Sequence, residues 1–166
     1  MIQIKTNFHK LLFILLTTLF YSNNLSAQIE GANLFSIDQV VNIELDFPQS
    51  DFWSQLEDNY TNMDVNGSIY IPANLTLTDV TGTYTFDSVG VRLKGNSSYG
   101  HPGDKKSFKI DFNKFISGQN YDGIKKLNFS NGFKDPTFMR EKLFFDVCRI
   151  HGVPAPRTNF TTVTYN

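Results

Sequence analysis

Cysteine is almost missing: Cys148 is the only one in 166 residues. No disulfide can form within the chain, so its stability must come from packed side chains. A strong charge of either sign is missing too. Fifteen Lys and Arg stand against sixteen Asp and Glu, a net charge of -1, which provides no global field to recruit nucleic acid or a membrane surface. Any anion site must therefore be local. His9, His101 and His151 have no Cys, Asp or Glu at metal-ligand spacing, which argues against a zinc centre. Ser97 and Ser98 follow Gly95-Asn96 rather than occupying Gly-x-Ser-x-Gly, so there is no nucleophile elbow. Walker motifs, dinucleotide fingerprints, repeats and heptads are absent as well.

A long apolar run is also lacking. Leu11 to Tyr21 is too short for an easy membrane crossing, which takes about 20 apolar residues. Preceded by Lys5, His9 and Lys10 and followed by Leu25-Ser26-Ala27, it reads as a secretory signal cleaved after Ala27. The expected product is secreted or held at the cell surface, with no membrane span after cleavage. Residues 28–36 read as a linker and 37–166 as one domain. Hydrophobic residues make up 40% of the chain and aromatic ones 14%, enough for a packed core.

Periodicity places the elements. Val41, Ile43, Leu45 and Phe47 alternate as a strand that Pro48 ends. Ser50 then caps a short helix that turns Trp53 and Leu56 to the core. Asn66-Gly67 marks a turn, Ser68 to Ile71 reads as a strand broken by Pro72, and strands follow at Leu75 to Leu77, Gly82 to Leu93 and Ile124 to Phe129. Asp135-Pro136 starts the principal helix, which runs to Ile150 before Gly152. Met139, Leu143, Phe144, Val147 and Ile150 form its apolar stripe, and the same apolar setting predicts a buried Cys148. Thr158 to Tyr165 returns to strand. The class is α+β, an antiparallel-rich sheet with one principal helix.

Chemistry gathers between the strands at Val89 to Leu93 and Lys105 to Phe112. Val89, Val91 and Leu93 share one face with Phe108, Ile110 and Phe112, which leaves Arg92, Lys94, Lys105 and Lys109 on the other. Lys106 is in phase with the apolar set, so it belongs at the strand mouth or in a cleft. The connecting loop carries Gly95, Gly100 and Gly103 with Asn96, Ser97 and Ser98. Backbone amides in such loops can converge on one phosphate, although on these residues alone a solvated hairpin with a flexible tip is the reading to prefer. Arg140 falls inside the apolar stripe in the first helical turn, where a cation needs either a structural carboxylate or a ligand phosphate beside it. Glu141 suits the helix start by its charge, or pairs with a phosphate-binding lysine.

Arg92-x-Lys-Gly-Asn-Ser-Ser98, Lys105-Lys-Ser-Phe-Lys109, Lys126-Leu-Asn128, Asp135-Pro-Thr-Phe-Met-Arg-Glu-Lys142 and Val153-Pro-Ala-Pro-Arg157 occur in this order. Together they resemble the CotH kinase family, named for spore coat protein H. The resemblance implies the N-terminal lobe of an atypical protein kinase that transfers phosphate from ATP, with a divalent metal such as Mg or Mn, to hydroxyls of a protein substrate. It puts Arg92, Asn96, Ser97 and Ser98 by the nucleotide and gives Lys105 or Lys106 the phosphate-anchoring role. Glu141 becomes the ion-pair partner of that lysine, and Arg140 braces the site. The chain departs from the family in one respect: no Asp or Glu follows Asp146. Kinases take the carboxylates that hold metal and orient the acceptor from their second lobe. A partial domain, truncated before the catalytic lobe and inactive alone, is the expectation. A noncatalytic surface or spore-coat-like assembly module, partnered by a coat or surface protein, is the alternative.

Overall fold

The computed structural model describes residues 29–63 and 67–166. The signal segment, its cleavage site and Asn66 of the expected turn lie outside the described residues. Strand β1, Val41–Asp46, buries Val41, Ile43 and Leu45 and exposes the residues between them, as period-two geometry requires. Helix α1 follows at Phe52–Thr61 with Asp51, rather than the expected Ser50, at its N-cap. Asp51 does not cap it. Its Oδ1 instead accepts from Gln55 Nε2 at 2.8 Å. Leu56 is buried and Trp53 packs half-buried on the core, as the apolar spacing anticipated.

Strands β2, Ile71–Asp79, and β3, Gly82–Lys94, form a long hairpin. Pro72 was expected to break a strand, yet it lies inside β2 opposite Gly90. The pairing of β2 with β1 begins only at Asn74, so no strand waits on that side for the N–H that proline lacks. β4, Ser107–Asp111, pairs antiparallel with β3, and β5, Lys126–Phe129, with β4. β6, Thr161–Tyr165, returns to lie parallel to β1. The sheet order is β5-β4-β3-β2-β1-β6.

This sheet curls until its ends approach. The Tyr165 ring of β6 lies 6.0 Å from Phe108 of β4, and Trp53 fills the angle, 5.4 Å from Tyr165 and 6.3 Å from Phe108. Inside the curl lies one core that includes Ile43, Leu75, Val91, Ile110 and Phe112. Leu34, from the segment read as a linker, joins it.

Helix α2 spans Arg140–Ile150, not Pro136 to Ile150. Phe138 and Lys134 have positive φ, 57° and 55°, which breaks helical continuation through the expected first turn. The described residues therefore hold two helices of similar length, ten and eleven residues, rather than one principal helix. The expected orientation of α2 is also corrected. None of its residues is buried, and Leu143, Phe144 and Ile150 are 54%, 64% and 80% exposed. Amphipathic spacing identified the stripe but not what covers it, and among the described residues no strand packs closely on this helix. Cys148 is half-buried. Among the described residues no helix is long and apolar enough to cross a membrane.

Candidate functional site

The β3–β4 hairpin has the two faces that the alternation requires. Val89, Val91, Leu93, Phe108, Ile110 and Phe112 are buried. On the opposite face Arg92 stands across from Lys109, and Lys94 from Ser107. Asp111 continues the row and is neutralised by Lys126 of β5 at 3.1 Å. Arg92, Lys94 and Lys109 are left as a cationic cluster.

Lys94 is half-buried. Burial pushes its ammonium below the ordinary lysine range, the charges of Lys109 and Arg92 push the same way, and Glu141 opposes them. Glu141 thus acts on Lys94. The family resemblance pairs it with Lys105 or Lys106, which line the same cavity as Glu141. Lys106 is otherwise engaged: its Nζ donates to the carbonyls of Tyr99 at 2.9 Å and His101 at 2.8 Å and lies over the Tyr99 ring. It sits at the strand mouth, as its phase suggested, and ties the loop to itself. Lys105 places its ammonium 4.1 Å from the centre of the Phe138 ring.

The glycine loop is pinned rather than loose. Tyr60 of α1 stacks on Tyr99, with ring centres 3.8 Å apart, and its hydroxyl donates to the Gly95 carbonyl. Asn131 closes the other end, its Nδ2 donating to the Ser98 carbonyl at 3.1 Å and the Lys105 carbonyl at 2.8 Å. The Asn131 backbone N–H donates to Ser107 Oγ at 3.1 Å. These contacts tie the loop at both ends. Asn96 and Ser97 are exposed on a short 3-10 turn, Ser97–Gly100, and Ser98 is half-buried.

Arg140 is exposed, contrary to the buried position inferred from the stripe. The structural carboxylate satisfies it: Asp135 lies 3.7 Å from its Nε, and its Nη1 donates to the Lys134 carbonyl at 3.0 Å. Asp135 also organises the entry to α2, accepting from Thr137 Oγ1 at 2.6 Å and from the Arg140 N–H at 2.8 Å. Its carboxyl is held below the ordinary value of 3.8, chiefly by the Thr137 hydroxyl and then by the N–H groups of Arg140 and Thr137 and the Arg140 charge, which outweigh burial. A depressed folded pKa contributes stability that is complete above the unfolded value and disappears as pH falls through the folded one. Amide-exchange protection at Arg140 is therefore expected to fall below pH 3.8 in the native chain and to lose that pH dependence in Asp135→Ala.

The predicted residues therefore separate. Lys105, Lys106, Arg140 and Glu141 line a cavity of about 810 Å³, floored by Val41, Ile43, Phe108 and Leu127. Arg92, Asn96, Ser97 and Ser98 do not line it. Arg92 faces Tyr70, its guanidinium carbon 5.5 Å from that ring's centre, and its Nε is buried without a partner. The sequence reading placed Lys94 on the cationic face beside Arg92 without giving it a role. It did not single out Asn131, nor Tyr60, which lies 35 residues from its partner Gly95. Among the described residues no group of three or more His, Cys, Asp or Glu could hold a metal ion.

Curled sheet and cationic hairpin together define a mixed α+β protein with a cationic face on β3 and β4. Residues 91–166 match the family model described as CotH kinase protein. Over those residues the chain is similar to the CotH kinase family. No curated protein matches it.

Proposed function

We propose that this chain supplies the nucleotide-phosphate-binding lobe of an exported CotH-type protein kinase, which phosphorylates hydroxyls of a protein substrate. Lys94 carries this reading. It is a partly desolvated ammonium crowded by Arg92 and Lys109 and opposed by Glu141. Three cations facing one carboxylate leave uncompensated positive charge, and phosphate oxygens supply both the charge and the acceptors to offset it. A lysine opposed by a helical glutamate is also how protein kinases hold ATP phosphates in place.

ATP fits this arrangement: Lys94 and Arg92 would meet its phosphates, and the pinned loop would keep the hairpin from yielding. ATP supplies the transferable phosphoryl group when bound. A divalent metal does not fit the described residues, which lack a ligating cluster, so no metal-dependent step is assigned to them. The carboxylates that hold metal and position the acceptor hydroxyl lie elsewhere in this reading.

Thermal unfolding in rising Mg-ATP tests it, since a ligand of the native state stabilises in proportion to the logarithm of its concentration. Lys94→Met is expected to weaken ATP binding about tenfold, the loss of one charge-assisted contact. The depressed folded pKa means that the fold disfavours the charged ammonium near neutrality, so the same variant is expected to unfold at a higher temperature without ATP. An ATP response identical in Lys94→Met and the native chain would falsify the assignment. The apolar stripe on α2 favours a second reading, a noncatalytic surface or coat-assembly module docking through that helix. It requires that millimolar ATP leave the unfolding temperature unchanged.

A further inference from the structure

Residues 29–36, expected only as part of a linker, reach both edges of the curled sheet. On the β5 side the Gly31 N–H donates to the Asp122 carbonyl at 2.7 Å. The approach is close enough that a Cβ at Gly31 would lie 2.9 Å from Ile124 Cγ1. On the β6 side Arg157 donates to the Glu30 carbonyl and holds its guanidinium carbon 4.6 Å from the centre of the Phe35 ring. The Asn159 amide serves the carbonyls of Leu34 at 3.2 Å and Ser36 at 2.6 Å. Asp122 and Ile124 precede β5, Arg157 and Asn159 precede β6, and these are the two outer strands, with β4, β3, β2 and β1 between them. Arg157 ends the Val-Pro-Ala-Pro-Arg motif, to which the phosphate reading gives no task. Within the segment only Gly31 and Leu34 are buried, and Leu34 alone enters the core. A segment anchored by one buried side chain opens at lower cost than the sheet it crosses.

We propose that residues 29–36 form a displaceable strap that holds the curled sheet closed, fastened by Gly31 at the β5 end and by Arg157 and Asn159 at the β6 end. β5 and β6 share no ladder, so withdrawal of the strap lets them part. Leu34, Arg157 and Asn159 all line the cavity of about 810 Å³, so the strap sets how far that cavity opens. Arg157 is a positioning residue, and its role stands independently of phosphoryl transfer.

Native-state hydrogen exchange on the purified full chain tests the strap. Asn159→Ala breaks it on the β6 side alone, yet the Gly31 amide and the Tyr121–Ile124 bridge on the β5 side are expected to exchange about tenfold faster, the loss of about one hydrogen bond, while β3 and β4 keep their protection. Arg157→Gln is expected to give about fivefold at the same amides. Arg157→Lys keeps a donor for Glu30 but no planar face for Phe35, and should fall between Arg157→Gln and the native chain. If Asn159→Ala does not fold, the two Arg157 variants decide by the same amides. Unchanged exchange at Gly31 and Ile124 overturns the proposal, as does faster exchange confined to residues 29–36 and β6, which would make the segment local packing. Equal acceleration across β3 and β4 also overturns it, since the segment would then be part of the global core.

Discussion

Asn131→Asp is expected to destabilise the protein by about 3–4 kcal/mol at neutral pH, the usual cost of an uncompensated buried charge. Asn131 is only 5% exposed, and its amide nitrogen holds two carbonyls, of Ser98 and Lys105. A carboxylate there turns acceptors toward acceptors, and burial raises its pKa above that of the unfolded chain. The sign follows from that order. The cost is complete above the raised folded pKa and is relieved as pH falls through it, because a protonated acid can donate to one of the carbonyls. Asn131→Leu leaves two carbonyls for water to reach but removes the unpaired Oδ1, so its cost is smaller, about 2 kcal/mol, and insensitive to pH. Chemical denaturation of both variants between pH 4 and 8, roughly the range in which a raised carboxyl titrates, separates them. Equal, pH-independent losses would show that the asparagine only fills space.

Gly95→Ala is expected to cost about 2–3 kcal/mol, a drop of about 5–10 °C in unfolding temperature for a domain of this size. The residue adopts φ 100°, where only glycine is unstrained, and a Cβ built there lies 2.0 Å from Ser98 Oγ. Two mechanisms act at one position, and a second substitution separates them. Ser98→Ala in the Gly95→Ala background removes the colliding hydroxyl but not the backbone strain, so calorimetry should recover part of the loss. Full recovery would assign the whole effect to the collision. The altered loop should also release the Tyr60 hydroxyl from the Gly95 carbonyl and weaken the ATP response.

Alternation was read correctly where burial on one face imposes it. β1, β3 and β4 bury the predicted residues, since a one-residue slip would expose every apolar side chain at once. Pro72 was misjudged because its tolerance depends on the missing neighbour beyond Asn74, a fact of sheet order rather than of sequence. The start of α2 was misplaced for a related reason. Asp135-Pro136 carries the usual helix-start chemistry, but Asp135 spends its acceptors across a turn containing Phe138 at positive φ. The stripe on α2 was recognised and its exposure was not, because periodicity describes one surface and contains nothing about the opposing one.

The cationic hairpin divides along the same line. By itself the sequence determined that Arg92, Lys94 and Lys109 share a face and that a glycine loop joins their strands, because strand geometry leaves a side chain only two directions. It also carried the family motifs in their order. Only the tertiary structure decided that the charge of Glu141 reaches Lys94, that Lys106 is consumed by its own loop, and that Tyr60 and Asn131 pin the loop from 35 residues before Gly95 and 33 after Ser98. Such contacts depend on where α1, α2 and the segment after β5 come to rest against the sheet, and that position is set by packing between residues far apart in the chain.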